Sequence, residues 1–428
     1  MKYLSSNVKN TLRFLLHSQY WTLSRLKAYQ WRKLTNLIHY AWRNVPYYKN
    51  LFATTGLTPK DIKCFDDISR IPILTKEDIK KNVSKLIAQN ISNSNLLTNY
   101  TGGSTGHPIK FFQDQNYLIW ADAARIRHWK YFPGFDETVN EAVLWGADRD
   151  IAYTLRPKQI LKILVKRRGL SLNTFNTTDF SFLKFVLLFN YVKPPLLRGY
   201  ASSLVYLADF VQRKKIPIHS PQRVISSAEA LHPNERTKIE KNLNTLVLDS
   251  YGCREVSQIA MECDYQNGYH VVMENQYVEI VDGKIVVTNL NNLAMPFIRY
   301  EIGDLADEII EEPCECGRGL VRIAHLKGRE SDNLYFGGKV IHAEYITHLF
   351  YRDTPITRFQ IVKNEEKNRL RVLVDKEDER IRHLVLQSLR QKFPEVFIDF
   401  QVTNDFIKTS TGKIKMVVDE SDKSITVA

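Results

Sequence analysis

The stretch Thr101-Gly102-Gly103-Ser104-Thr105-Gly106-His107-Pro108 puts three glycines and three hydroxyl side chains into its first six positions. Glycine lets a backbone approach a ligand closely and reach positive φ. Hydroxyls and bare N–H groups are the donors that phosphate oxygens need. The chemistry this suits is the cradling of a polyphosphate. The apolar run that follows, Ile109 to Phe112, reads as a strand, so the loop reads as the turn of a hairpin. A Walker A loop, which ends in Gly-Lys-Ser/Thr and opens a helix, does not fit. Taken alone, the stretch is equally an ordinary flexible turn.

Four further segments carry chemistry. Asp249-Ser250-Tyr251-Gly252-Cys253-Arg254-Glu255 follows an apolar run; its tyrosine can stack on a base, and its glutamate, four residues on, can reach a metal. Arg299-Tyr300-Glu301-Ile302-Gly303-Asp304 offers a carboxylate that can accept hydrogen bonds from ribose hydroxyls. Gly328-Arg329-Glu330-Ser331-Asp332 sits at a polar break. Thr409-Ser410-Thr411-Gly412-Lys413 offers a lysine beside a glycine. Each has a plain structural alternative: Glu255 as a helix cap, Arg329 as a surface ion pair, Lys413 as a solvated tail residue.

The elements that must position these residues follow from periodicity. Residues 1–95 read as mostly helical, with Trp31, Leu34, Leu37, Ile38 and Trp42 at three- and four-residue intervals. Asn44-Val45-Pro46 ends that helix, and Thr75 with Asp78 three positions later reads as a capping box at the start of another. From 97 to 300, strands at Ala142–Trp145, Leu196–Arg198, Arg223–Ser226, Leu246–Asp249 and Lys284–Asn289 alternate with helices at Ser202–Arg213 and Asn234–Asn242. That alternation predicts an α/β domain with buried sheets. Beyond residue 332 a small α+β unit is expected, with strands near Phe359–Val362, Arg369–Val374 and Val396–Val402 and a helix over Glu377–Lys392. The expected organisation is a large domain over 1–327, a hinge over 328–332 and a small lid over 333–428.

With 428 residues, two or three domains are expected. A hydrophobic fraction of 44% and a charged fraction of 25% are ordinary for a globular protein. Five cysteines in this length make no disulfide framework, and no apolar run approaches a membrane span. The segment Leu12–Leu16, broken by Arg13, is too short and polar for a signal-peptide core. A cytoplasmic, reducing setting is expected. The net charge of +13 is uneven: residues 1–50 hold nine Lys/Arg and no Asp or Glu. A second basic stretch, Arg156 to Arg168, carries Ile160, Leu161, Leu164 and Val165 at helical spacing. Such stretches suit either amphipathic helices on anionic lipid or solvated faces that steer anionic substrates; the second is favoured. No nucleic-acid motif accompanies the charge.

In this order the five segments resemble the adenylate-forming superfamily of acyl-CoA synthetases, peptide-synthetase adenylation domains and luciferases. Within it the chain is most similar to phenylacetate-CoA ligases and CapK-like proteins, from Asn44-Val45-Pro46-Tyr47-Tyr48 to Lys413. The resemblance implies that Thr101, Gly102, Gly103, Ser104, Thr105 and Gly106 hold the β- and γ-phosphates of ATP. It implies that Ser227-Ala228-Glu229 lines the adenine pocket and that Tyr251, in Asp249-Ser250-Tyr251-Gly252, lies against adenine. Glu255, with Thr105 as a further candidate, would hold Mg²⁺. Asp304 would bind the ribose hydroxyls, Arg329 would approach ribose or phosphates, and Lys413 would bridge the carboxylate and the α-phosphate. The implied activity is ATP-dependent conversion of a carboxylic acid to an acyl-adenylate, then transfer to an acceptor. The acceptor would be CoA or, by the CapK likeness, an amine or sugar in surface-polysaccharide assembly, where the basic N-terminus would suit work beside an anionic membrane. A non-catalytic nucleotide-binding protein is the alternative of another class. The acyl pocket is expected between residues about 120 and 255, near Trp145, Tyr200 and Tyr251. Two positions depart from the usual pattern: Ser331 stands where a hinge carboxylate is usual, with Asp332 next to it, and Ile109 stands where many members have lysine.

Cys263, His270 and the pair Cys314-Glu315-Cys316 supply three thiols and an imidazole, a set that suits structural zinc. Gly317 follows the pair, as a tight turn favours. Relatives in the resembled family carry a similar set. The alternative is three buried free cysteines and a satisfied histidine. Cys64 and Cys253 read as unpaired.

Overall fold

In a computed structural model, the described residues are 4–100, 110–145, 157–174, 179–329, 334–337, 339–341, 350, 355–356, 358–409, 414–421 and 425–426. Helix α1 (Ser6–Ser18) buries Val8, Leu12 and Leu15. Helix α2 (Leu23–Asn44) buries Leu26, Leu34, Leu37, Ile38 and Ala41; of the expected stripe, Leu34, Leu37 and Ile38 are in the core, Trp31 packs at its margin and Trp42 is exposed. Pro46 stops α2 and opens α3 (Pro46–Thr55). Helix α4 (Lys76–Asn82) starts at the expected capping box: Thr75 N donates to Asp78 Oδ2 at 3.0 Å, and Asp78 N to Thr75 Oγ1 at 3.1 Å. The apolar stripe of α1 is occupied by α5 (Gln115–Ile126), through Ala123 and Ala124. Of the basic residues of the N-terminus, Arg13, Arg25, Arg32, Arg43 and Lys49 are exposed, whereas Lys33 is turned inward and bonds Asn291.

The strands β1 (Leu97–Tyr100) and β2 (Lys110–Gln113) pair antiparallel, Tyr100 opposite Lys110. This is the hairpin that the glycine-rich stretch was expected to turn; Thr101 to Gly106 themselves lie outside the described residues. The parallel part of the main sheet follows, in β3 (Glu141–Trp145), β4 (Ser171–Asn173), β5 (Leu196–Tyr200), β6 (Arg223–Ser227) and β7 (Leu246–Cys253). Between them run α6 (Pro157–Lys166), α7 (Asp179–Val192), α8 (Ala201–Lys214) and α9 (Pro233–Leu243). On α6 the expected stripe is not the buried face: Ile160 is half-buried and Leu161, Leu164 and Val165 are exposed, while Ile163, outside that stripe, is buried.

The chain then turns back antiparallel through β8 (Ser257–Glu262) and β9 (Tyr269–Val271). A second, four-stranded antiparallel sheet has β10 (Gln276–Val281), β11 (Lys284–Asn289), β12 (Tyr300–Ala306) and, after β13 (Ile309–Ile310) and β14 (Arg322–Ile323), β15 (Leu326–Arg329). The two short strands complete a nine-stranded main sheet, ordered β13-β14-β9-β8-β7-β6-β5-β3-β4. This sheet is buried on both faces, because successive residues of its parallel strands alternate sides. Leu196, Ile225 and Leu248 join one core, Leu197, Val224 and Val247 the other.

After β16 (Leu334–Phe336) and β17 (Lys339–Ile341), the C-terminal part has β18 (Phe359–Asn364), β19 (Arg369–Val374), α10 (Glu379–Lys392), β20 (Phe397–Val402), β21 (Lys408–Thr409), β22 (Val417–Asp419) and β23 (Ile425–Thr426). Its sheet, ordered β20-β19-β18-β22, and α10 enclose a separate hydrophobic core including Phe350, Ile361, Val372, Ile381 and Leu389. Lys413 lies outside the described residues, between β21 and β22. No helix among the described residues is long and apolar enough to cross a membrane.

One ion pair fastens the N-terminal helices to the sheets. Arg127, just after α5, and Glu274, between β9 and β10, are both fully buried, with Arg127 Nη1 2.9 Å from Glu274 Oε1. Arg127 also donates to Leu15 O at 3.0 Å, and Ser18 Oγ to Glu274 Oε1 at 2.5 Å. Removing one partner leaves a buried charge uncompensated. Arg127→Leu should therefore lower the unfolding free energy in urea by about 3–5 kcal/mol. The double replacement with Glu274→Leu should recover most of that loss; equal losses in single and double variants would show that the pairing is not what holds the helices.

Candidate functional site

Parallel strands that end together leave their C-terminal edge free for a ligand. Register sets which residues meet there: Tyr200 pairs with Ser227, and Ser227 with Ser250. Ser227 Oγ donates to Ser250 O at 3.2 Å. Ala228, the residue after β6, holds φ of 68°, a left-handed conformation that a non-glycine residue adopts at some strain. Glu229 accepts from Ser202 N at 2.9 Å, so its carboxylate faces the N-terminal turn of α8, where negative charge is favoured.

Beyond Ser250 the expected nucleotide residues converge. Tyr251, on β7, donates its hydroxyl to Asp304 Oδ2, on β12, at 2.8 Å. Glu255, in the β7–β8 turn, accepts at Oε1 from Tyr300 OH at 3.1 Å. The turn is tight: a Cβ on Gly252 would lie 2.5 Å from Ser257 O. Asp304 in turn faces Arg329 across the β12–β15 ladder. Residues from three sequence segments, two of them 53 positions apart, thus share one site. Thr101–Gly106 and Lys413 fall outside the described residues, as does the Arg329 side chain.

The serine row has a partner that periodicity did not single out. Trp129 Nε1 donates to Ser250 Oγ at 2.9 Å, and Gln258 Nε2 donates to the same oxygen at 2.7 Å. Trp145 packs on Tyr200 with ring centroids 4.4 Å apart, and Arg198 lies over the Trp129 ring at 4.1 Å. These sit where the acyl pocket was expected. Glu141 joins Arg198 and Lys130; burial pushes its carboxyl pKa up, but the two cations more than offset this and hold it below the usual value. A tryptophan at the end of a mostly helical segment carries no sequence signal for this contact.

Behind the row lies a buried acidic pair. Asp249 accepts from Tyr269 OH at 2.9 Å, and its backbone N donates to Glu262 Oε2 at 2.8 Å. Arg236 pairs with Glu262 through Nη2, at 2.8 Å from Oε2. Burial, then the Glu262 charge, push the Asp249 pKa up to about 7, against the Tyr269 hydrogen bond and Arg236.

The cysteine set meets at the antiparallel end of the main sheet. Cys263 follows β8, His270 lies on β9, and Cys314 and Cys316 precede β14. The ligand atoms of Cys263, His270, Cys314 and Cys316 all lie within 4.8 Å of one another. Cys263 and Cys314 sulfurs are 3.8 Å apart, and Cys316 Sγ is 3.3 Å from His270 Nε2. Zinc–ligand bonds of about 2.0–2.3 Å at tetrahedral angles give ligand–ligand edges of about 3.3–3.8 Å. Gly317 N closes the C-x-C turn onto Cys314 O at 2.9 Å, with φ of 77°. A hydrogen bond from Cys263, then His270, holds Cys316 towards thiolate despite burial. The site fits the zinc ion that its residues suggest. Cys64 is exposed and Cys253 half-buried, neither in a disulfide.

The chain is similar to several known proteins. Phenylacetate-coenzyme A ligase of Pseudomonas putida is 26% identical over 347 residues, covering 74% of this chain and 73% of that protein. Protein CapK of Staphylococcus aureus is 22% identical over 402 residues, covering 90% and 88%. No family model matches. Among solved structures, 2-hydroxyisobutyryl-CoA ligase in its postadenylation state, in complex with R3-HIB-AMP, aligns with a TM-score of 0.69 at 19% identity, covering 93% of this chain and 90% of that one. The same ligase with 2-HIB-AMP and CoA, in the thioesterification state, aligns with a TM-score of 0.57. The chain thus has phenylacetate-CoA ligases and CapK among its relatives and the fold of adenylate-forming CoA ligases.

The Asp249 environment makes a pH prediction. Unfolded aspartate ionises near 3.8, whereas folded Asp249 keeps its proton to about 7. Between these values the folded chain binds more protons, so this group's contribution to stability falls as pH rises through that window. Asp249→Asn retains an acceptor for Tyr269 and removes the titration. The variant's thermal midpoint should gain on the wild type as pH rises from about 4 to about 7; a constant difference would show that Asp249 does not titrate there.

Proposed function

We propose that the chain is an ATP-dependent, AMP-forming acid ligase that makes an acyl-adenylate and transfers the acyl group to CoA. The observation that carries this is the Tyr251–Asp304 and Glu255–Tyr300 convergence at the C-terminal strand edge. It occurs in a chain with the fold of adenylate-forming ligases. Asp304 would bind the ribose hydroxyls, and Tyr251, hydrogen-bonded to Asp304, would lie against the base. Ser227, Ala228 and Glu229 border the same edge.

In the first step a carboxylate oxygen bonds the α-phosphorus and the bond to pyrophosphate breaks. Both reactants are anions, so their approach must be offset by positive charge. Mg²⁺ at Glu255 would neutralise phosphate charge. Thr101–Gly106 would hold the departing phosphates, and Lys413 would lie between carboxylate and α-phosphate. In the second step the CoA sulfur attacks the carbonyl carbon, AMP leaves, and the thiol proton passes to solvent. We assign residues 1–327 to the nucleotide- and acid-binding domain, 328–332 to a hinge and 333–428 to a lid that carries Lys413 in and out. A second acceptor class, an amine or sugar, is favoured by the CapK match, which spans more of the chain than the P. putida match. A reducing, cytoplasmic setting suits the free thiols.

Acid-dependent exchange of labelled pyrophosphate into ATP tests the ligase reading. Lys413→Ala should lower exchange by about 10²–10³-fold, in line with loss of one transition-state charge contact, while ATP binding persists. ATP binding without exchange for any acid would refute a ligase. The Cys263, His270, Cys314 and Cys316 set is proposed to hold one structural zinc. Elemental analysis should find about one zinc per chain, and Cys314→Ser should lower both zinc content and thermal midpoint. A metal-free protein of unchanged stability would remove the zinc.

A further inference from the structure

We infer that Arg198 forms the inner wall of the acyl site and binds a second carboxylate, so that the acid activated is a dicarboxylic acid. This rests on the ligase reading and narrows its substrate class. Along β5, Arg198 lies two residues before Tyr200 and therefore on the same face of the sheet. It shares a row with Ile225 and Leu248. The ligand edge, with Tyr200, Ser227 and Ser250, is the next row, about 7 Å away along the strands.

The same two indoles frame both rows. Trp129 hydrogen-bonds Ser250 and stacks on Arg198; Trp145 packs on Tyr200 and lies 5.1 Å from the Arg198 guanidinium. The arginine thus sits at the inner end of an aromatic frame whose outer end is the strand edge.

Its charge is incompletely matched. The side chain is 11% exposed. Among the described residues its one hydrogen bond runs from Nε to Glu141 Oε2, at 3.5 Å, the long limit for such a bond. The same oxygen is 2.7 Å from Lys130 Nζ. Two cations therefore share one carboxylate, and Arg125, the next cation over Trp129, is already paired with Asp122 at 2.5 Å. A largely buried, underpaired cation is costly to keep. The two Nη groups form a fork that matches a carboxylate in two parallel hydrogen bonds. A diacid whose carboxylates are separated by a ring or a short chain would span the two rows, one carboxylate at the strand edge for activation and the other on Arg198.

The test is pyrophosphate exchange by the full chain with matched probes: terephthalate against its monomethyl ester, and adipate against its monomethyl ester. Wild type should use each diacid with kcat/KM at least about tenfold above its monoester, the discrimination expected for a buried charge contact. Arg198→Met should bring the ratio to about one, mainly by raising KM for the diacid. Glu141 keeps Lys130, so the fold should tolerate the change. Arg198→Lys, which keeps the charge but loses the fork, should retain an intermediate ratio and serves if the Met variant does not fold. Equal use of diacid and monoester by wild type, exchange with monocarboxylic acids alone, or an unchanged ratio in Arg198→Met would overturn the inference and leave the ligase reading standing. No exchange with any acid would overturn both.

Discussion

The hydrogen bond from Tyr251 to Asp304 is the point at which two separately built sheets become one site. Tyr251 ends the parallel run of the main sheet, and Asp304 lies on the second, antiparallel sheet. A hydrogen bond to a charged acceptor contributes about 1.5–3 kcal/mol, enough to fix the relative positions of two already packed edges. Its directional role matters more than its strength. Asp304 accepts from Tyr251 at Oδ2 and is oriented by it. The Tyr300–Glu255 bond repeats the arrangement one turn away, with the partners exchanged between the sheets. Each sheet therefore supplies one carboxylate and one phenol.

Such a site concentrates acidic groups, and the surrounding fold has to limit their repulsion. Behind the strand edge, Arg236 is paired with Glu262, while Asp249 is kept protonated well above its ordinary range by burial and by Glu262. Neutralising one acid and pairing the other leaves little negative charge facing the edge from behind. With the Glu229 carboxylate engaged at Ser202 N, Asp304 and Glu255 are the carboxylates presented there among the described residues, which suits binding of a nucleotide through its hydroxyls and its metal. Positive charge for the phosphates then has to come from elsewhere, and under the proposed function Lys413 would supply it.

Much of this was legible in the sequence, for a physical reason. Strands β5, β6 and β7 are buried on both faces and read as apolar runs, and α8 and α9 match their expected spans to within one residue at each end. Tyr251, Glu255 and Asp304 were singled out through the family resemblance that the order of their segments carries, and register brings them near one another. Arg198 was not. In the sequence it ends an apolar run, so the predicted strand stops there, whereas β5 continues to Tyr200. Only register shows that the arginine faces the aromatic side and not solvent. Trp129 and Gln258 were likewise hidden, because each acts through a partner remote in sequence, Ser250, whose position depends on the whole sheet.

The main sheet also explains where a metal would be needed. Its parallel half is held by strands of five residues or more at β5, β6 and β7 and by two apolar cores. At the other edge β9 has three residues and β13 and β14 two each. Strands that short bring few ladder bonds and little apolar surface, and are marginal without support. All four proposed zinc ligands fall on or beside these strands. A metal there would replace missing hydrophobic burial with coordination bonds. The edge it would fix is the one through which the chain reaches α1: Gly319 N donates to Gln19 O at 2.9 Å, and a Cβ at Gly319 would lie 2.0 Å from Trp21 O. The chain just after α1 thus docks against an edge that has little cohesion of its own, so a zinc ion there would add to the Arg127–Glu274 pair in holding the helical layer to the main sheet.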